Sequence, residues 1–268
     1  MLLGIDHLVI AVRDPDAAAA ELERDVGLAF TGGGRHEAMG TFNRLAFLGD
    51  TYLELIGVFD RSLVASSTTF AVGRASMVVL DAGREGLATY ALATDDVAAD
   101  TMRLRAGGSP IGEPVAGSRI RPDGDVVRWA TAFPPLGPDQ PPFLIEHEYA
   151  GAEWGDEARV ARAAFLHPVG GRVRVTALEL PVPDPPAAAE AYGRVLGIAF
   201  AEGWRAALGE QAIRLRAGAP GGVPVVHLRG DAGTPPLDLV RLGVRWRRSR
   251  LPASPMTSRP TRTPGTRS

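Results

Sequence analysis

The 268-residue chain predicts an α+β protein of repeated βαβββ modules, forming a concave, partly closed mixed sheet with helices outside. Three observations carry this reading. Residues 6–30, DHLVIAVRDPDAAAAELERDVGLAF, align without a gap to residues 176–200, TALELPVPDPPAAAEAYGRVLGIAF, at a constant offset of 170 with eleven of 25 positions identical. A weaker copy begins at GLATYALATDDVAADTMRLRAGG, residues 86–108. Each copy is followed by short apolar runs separated by turn residues, as expected of strands.

The elements follow one grammar. A strand ends at an Asp able to cap a helix, and Pro15 or Pro185 sits in the first turn, where a missing N–H costs little. The helix closes at Gly27, Gly107 or Gly197. Strands are then expected at 28–33, 42–48 and 51–58, at about 113–117, 126–134 and 142–149, and at about 198–203, 211–217 and 223–229. One helix cannot cover three or four strands on both faces, so two modules side by side leave a strand-lined pocket. The division expected is 1–150 for two modules, 151–171 for a connection, 172–245 for a third, degenerate module, and 246–268 for a disordered tail.

Composition narrows the chemistry. There is no cysteine, which removes disulfides, thiolate metal sites and cysteine nucleophiles together. All 29 basic residues are Arg; the net charge is -2, and residues 1–240 alone carry -10 because eight Arg and no acid lie in 241–268. An acidic body argues against nucleic acid as the main partner. No run approaches the length of a membrane span and no basic leader precedes the first apolar run, so a cytoplasmic protein with no membrane partner is expected. The tail, rich in Pro, Ser, Thr and Arg, reads as solvated.

The most informative stretch is GTFNRLAFLGDTYLELIGV, residues 40–58. Gly49-Asp50 between two apolar runs is a good two-residue hairpin turn. It would pair Leu48 with Thr51, Phe47 with Tyr52, Leu45 with Glu54 and Asn43 with Ile56. Alternation then puts Ala46, Leu48, Leu53 and Leu55 on a helix-facing side, and Asn43, Leu45, Phe47, Tyr52, Glu54 and Ile56 on the other. In the first strand His7 shares that open face with Ile5, Val9 and Ala11. A buried carboxylate must be protonated, hydrogen-bonded, wet or bound to a cation, so Glu54 beside His7 marks a ligand or metal site.

The strand IDHLVIAV, the helix after DPDAAAAELE and above all GRHEAMGTFNRLAFLGDTYLELIGV resemble the glyoxalase-like domains of the vicinal oxygen chelate superfamily. The resemblance is good over 4–60, extends to about 150 and again over 172–230, and is absent from the tail. It implies a divalent metal (Fe2+, Mn2+, Zn2+ or Mg2+) shared by His and Glu ligands of paired modules. Carried over, His7 and Glu54 are the first pair and Glu146 takes Glu54's place in the second module, with His36 a fourth candidate. His147 competes with Glu146, since a one-residue slip exchanges their faces. Ala88 and Ala177 stand where further histidines would be.

The resemblance implies metal-dependent lyase, isomerase or dioxygenase chemistry on a small substrate with vicinal oxygens. Glu54 or Glu146 would move a proton, and Asn43, Tyr52 and Phe47 would bind the substrate. The alternative is a metal-free protein that binds or sequesters a small molecule. A homodimer is a further expectation, because an odd third module leaves an open face. His167 and His227 read as structural. Arg119-x-Arg121 and Arg247-Arg248 read as solvated charge, and no P-loop, nucleophile-elbow, H-E-x-x-H or dinucleotide fingerprint is present.

Overall fold

Asp14 and Asp184 accept hydrogen bonds from first-turn N–H groups, while Gly27 (φ 77°) and Gly197 (φ 67°) end the same two helices in the left-handed region that glycine adopts without strain. The two matched segments of sequence therefore fold alike. A computed structural model describes residues 2–67, 71–121, 123–135 and 141–249.

The first half runs β1 (Leu2–Ala11), α1 (Pro15–Val26), β2 (Gly32–His36), β3 (Thr41–Leu48), β4 (Thr51–Val58), α2 (Arg61–Ser66), α3 (Ala71–Asp81), β5 (Gly86–Thr94), α4 (Val97–Ala106), β6 (Val115–Ile120), β7 (Val126–Ala132) and β8 (Phe143–His147). The connection holds α5 (Gly151–Trp154) and α6 (Asp156–Ala164). The second half runs β9 (Val173–Val182), α7 (Pro185–Leu196), β10 (Arg205–Leu208), β11 (Gln211–Ala217), β12 (Val225–Gly230), β13 (Leu237–Arg241) and β14 (Val244–Ser249).

The first two modules make an eight-stranded sheet ordered β2-β3-β4-β1-β5-β8-β7-β6, with β1 and β5 antiparallel at its centre. The chain has the concave mixed sheet with helices outside that the repeats imply. The β3–β4 hairpin has the expected register, pairing Leu48 with Thr51, Phe47 with Tyr52, Leu45 with Glu54 and Asn43 with Ile56. Two features depart from expectation. The strand after α1 starts at Gly32, so residues 28–31 form a connection. The segment after β4 forms α2 and α3, and Val72 of α3 packs with Val9, Ile56, Ala91, Phe143 and Ile145 on the concave face.

The second sheet has six strands, ordered β10-β11-β9-β12-β14-β13. Residues 225–230 do not close the third module. They run antiparallel to β9 and open a fourth, helix-less half-module with β13 and β14. Nor does a tail begin at 246, because β14 extends to Ser249 and Trp246 is fully buried. Residues 250–268 lie outside the described residues.

One apolar cluster joins the halves. It takes in Leu8, Leu53 and Leu92 of the first sheet, Leu22 and Val26 of α1, Leu104 of α4, Tyr192 and Val195 of α7, and Leu178, Ile213 and Trp246 of the second sheet. The helices α1, α4 and α7 thus contribute to one core between the sheets, which leaves the other face of each sheet for function. No helix among the described residues is long and apolar enough to cross a membrane.

Candidate functional site

The concave face of the first sheet is a trough capped by two helices that the sequence reading did not identify. Val72 of α3 and Trp154 of α5 both line it. Its cavity is about 110 Å³, lined by His7, Asn43, Tyr52, Glu54, Trp129 and Phe143 among others. Apolar walls with a few converging polar groups are the usual make-up of a small-molecule site.

Glu54 and His7 meet as alternation requires. Their side chains are largely buried, and His7 Nε2 lies 3.7 Å from Glu54 Oε2. The other oxygen, Oε1, accepts a hydrogen bond of 2.6 Å from Asn43 Nδ2, while Asn43 Oδ1 accepts the Gly34 N–H at 2.9 Å. Asn43 is thereby fixed from both ends and holds Glu54 in one orientation. Tyr52 stacks on the His7 ring at 4.5 Å between centroids. Burial, followed by the nearby Asp6 and Glu54 carboxylates, pushes the Tyr52 hydroxyl well above its ordinary pKa, so it stays a neutral donor.

Asp6 completes the cluster. Strand alternation would turn it away from His7, but the β1–β5 ladder shifts register between Ile5 and His7, and the extra residue brings Asp6 to the same side. Its Oδ1 lies 2.6 Å from His7 Nδ1 and 3.1 Å from His147 Nε2. Burial alone would raise its pKa, but the imidazoles of His147 and His7 outweigh that and hold the carboxyl well below the usual carboxylate range. An ionised Asp6 can only accept, so both rings donate to it. His7 then presents Nε2 toward Glu54, and His147 is left with Nδ1, which has no hydrogen-bond partner among the described residues.

Glu146 does not join the site. Phe143, Ile145 and His147 line the trough, while Glu146 Oε2 accepts the Val97 N–H at 2.9 Å at the start of α4. The one-residue slip thus resolves in favour of His147, and Glu146 serves as an anionic partner to a helix N-terminus. The module correspondence shifts too. The cap of α4 is Asp96, so the residue in His7's place is Thr89 and not Ala88. Glu54 pairs with Val9, and Phe143 pairs with Ala91 at the same distance before its cap, so Phe143 stands where Glu54 does. The second module offers neither histidine nor carboxylate there.

His36 lines the trough, with Nδ1 3.0 Å from Thr41 Oγ1. Burial lowers its pKa and Arg119 lowers it further, against Glu54, so it is neutral at pH 7. Phe47 packs obliquely on Tyr52 at 5.8 Å. The donors do not fit the implied metal set. Glu146 faces away, and the second module places Thr89 and Phe143 where a second histidine and a second carboxylate would stand. Among the described residues no three His, Asp or Glu side chains gather as metal ligands, and a protein metal site ordinarily uses at least three.

Besides Asp6, three residues escaped the sequence reading. Arg119, read as solvated, is 8% exposed on the trough wall and paired with Glu153, whose Oε2 also accepts from Arg121 Nη1 at 2.8 Å. Trp154 stacks on His147 at 3.7 Å between centroids, and Arg162 lies 4.6 Å over the Trp154 ring. A lone Trp in the polar run GAEWGDEARV was the available signal. Arg248, also read as solvated, is buried and donates to the Val26 carbonyl at 2.8 Å, a cation closing α1. His167 is structural, with Nδ1 accepting the Ala29 N–H at 3.2 Å and Nε2 donating to the Phe47 carbonyl at 3.0 Å.

Comparison with known proteins places this geometry. A family model described as "Glyoxalase-like domain" matches residues 5–196. A hypothetical protein from Staphylococcus aureus superposes with a TM-score of 0.75 at 17% identity, covering 92% of this chain and 99% of that one. Methylmalonyl-CoA epimerase from Mycobacterium tuberculosis gives a TM-score of 0.40 at 20% identity, over 56% of this chain and 90% of its own. A single-residue variant of Streptomyces coelicolor methylmalonyl-CoA epimerase, in complex with 2-nitronate-propionyl-CoA, gives 0.41 at 23% identity, over 56% and 100%. No curated protein matches the chain. A family match over most of the chain, on the modules that build the trough, means that the chain belongs to the glyoxalase-like domain family.

Proposed function

We propose that the trough of the first sheet binds a small oxygenated molecule and that Glu54 moves a proton on it, as an isomerase- or lyase-type reaction requires, without a metal held by the protein. The observation that supports this most is the state of Glu54. One oxygen is anchored by Asn43 at 2.6 Å and the other is directed at His7 Nε2, 3.7 Å away, inside an apolar trough. A positioned carboxylate beside an imidazole of fixed tautomer is the equipment of general acid–base catalysis.

Each neighbour has a part in this reading. Asp6 fixes the His7 ring so that Nε2 can receive the proton Glu54 takes, or stabilise it on a ligand oxygen. Neutral Tyr52 and the Arg119 guanidinium bind ligand oxygens. Phe143, where the paired module would carry a carboxylate, suits the apolar part of the molecule. Sequestration without reaction is the second reading. The observation favouring it is that His147 Nδ1 and Trp154 Nε1 are buried at the trough wall without hydrogen bonds among the described residues, and a tightly held ligand would satisfy them.

Glu54→Gln separates the two readings, because the amide keeps the shape and removes the basic oxygen. A panel of 2-hydroxy acids, 2-oxo acids, diketones and catechols is offered to both proteins. The catalytic reading expects a bound compound to be converted by the wild type and about 100-fold more slowly by the variant. A compound bound by both and converted by neither leaves sequestration; a wild type that binds none sinks both.

A further inference from the structure

The second sheet repeats the strand arrangement of the first, with β9 between β11 and β12 as β1 lies between β4 and β5. The register carries over residue by residue. Ala177 stands at the place of His7 and Glu179 at that of Val9. Arg214, paired with Glu179, holds the position of Glu54. His227, paired with Ala177, corresponds to Ala91, and Arg247, paired with His227, to Phe143. Where the first sheet has an apolar trough around one carboxylate, the second has a cationic face.

That face is built against its own stability. Arg205 lies directly opposite Arg214 on β10 and β11, and Arg174 directly opposite Arg229 on β9 and β12. Like charges directly opposite each other destabilise a sheet. Among the described residues of these strands, two acids share the face with the arginines, and both are engaged. Glu179 is held by Arg216 at 2.9 Å and lies 3.5 Å from His227 Nε2, and Asp238 is shared by Arg245 at 2.9 Å and Arg247 at 3.1 Å. Arg205, Arg214 and Arg229 form no ion pair with a carboxylate among the described residues, while the charge of Arg174 acts on Asp231 at the edge of the sheet. Burial lowers the His227 pKa, Arg214 and Arg247 lower it further and Glu179 opposes them.

We propose that the open face of the second sheet is an anion-binding site for a small phosphate-bearing molecule, centred on Arg205, Arg214 and His227. Guanidinium forks match phosphate oxygens two at a time, and several converging arginines suit a multiply charged group better than a single carboxylate. A small ligand is favoured over a nucleic acid because the chain as a whole is not basic, with a net charge of -2. The site does not depend on the chemistry proposed for the trough.

The test uses inorganic pyrophosphate, titrated at low and at 200 mM salt into the full chain, the variant Arg205→Ala/Arg214→Ala, and the control Arg13→Ala, whose arginine pairs with Glu85 elsewhere. Saturable binding by wild type and control, weakened about tenfold or more in the double variant, is expected. Without pyrophosphate the double variant should have a Tm equal to or above that of the wild type, because a like-charged pair has been removed. Binding unchanged in the double variant, or absent from the wild type, overturns the proposal. Tighter arginine-dependent binding of a 20-nucleotide single-stranded DNA also overturns it and assigns the face to nucleic acid.

Discussion

Asp6 decides how the candidate site is wired, although it touches the trough only through two imidazoles. Its carboxylate bonds His7 and His147, and its folded-state pKa lies below the unfolded value. A depressed carboxyl contributes stability that is complete above the unfolded pKa of about 3.9 and disappears as the pH falls through the folded value. Asp6→Asn is therefore expected to cost about 2–4 kcal/mol at pH 7, read from denaturant midpoints, with the gap to the wild type narrowing only below about pH 4. A gap unchanged at pH 3 would contradict the ionised-acceptor assignment. Asp6 was in plain view beside His7 in IDHLVI, yet alternation points it to the wrong face. The register shift that turns it inward depends on the pairing with β5, which a single strand does not reveal. Asn43 and Glu54 were legible because a two-residue turn fixes a hairpin's register from within, and His7 because alternation along its own strand sets its face.

At the scale of elements, close packing holds the β3–β4 hairpin against its helix. A Cβ added at Gly57 of β4 would meet Phe42 and the Pro15 ring, each 2.7 Å away. The proline ring is rigid and is held in the first turn of α1, so it cannot yield. Gly57→Ala is expected to destabilise the protein by about 1–3 kcal/mol in chemical denaturation while ligand binding in the trough is kept. An unchanged midpoint would mean that α1 is free to move off the hairpin. Element type and order were largely legible, because Asp caps, Pro at the first helical position and Gly ends are local signals. The register of β8 was not: it is set by pairing with β5 and β7, and so Glu146 and His147 could not be told apart from sequence. The covers were equally hidden, since α3 and α5 gain their role only by packing on a trough that other strands create.

At the scale of the molecule, the two sheets share one core and are tied across their seam. Gln211 of β11 accepts the Ile5 N–H at 2.6 Å and donates to Thr51 Oγ1 at 2.7 Å, while the hydroxyls of Tyr90 and Tyr192 lie 2.7 Å apart. A continuous apolar cluster through α1, α4 and α7 gives neither half an independent interior. Calorimetry should accordingly show one unfolding transition for the full chain. Two separated transitions would contradict the shared core. The repeat foretold that the halves resemble each other, and the structure adds that their free faces diverge in charge.

The central claim is that Glu54 moves a proton in the trough unaided by a protein-held metal. Proton NMR of candidate carbon acids in D2O, with chelator-treated wild type and Glu54→Gln, reads this at the reacting bond. The account predicts that the wild type exchanges a carbon-bound hydrogen of a compound it binds, that chelator leaves the rate intact, and that Glu54→Gln slows it about 100-fold or more. Exchange abolished by chelator, exchange indifferent to Glu54→Gln, or no exchange of any bound compound would contradict it.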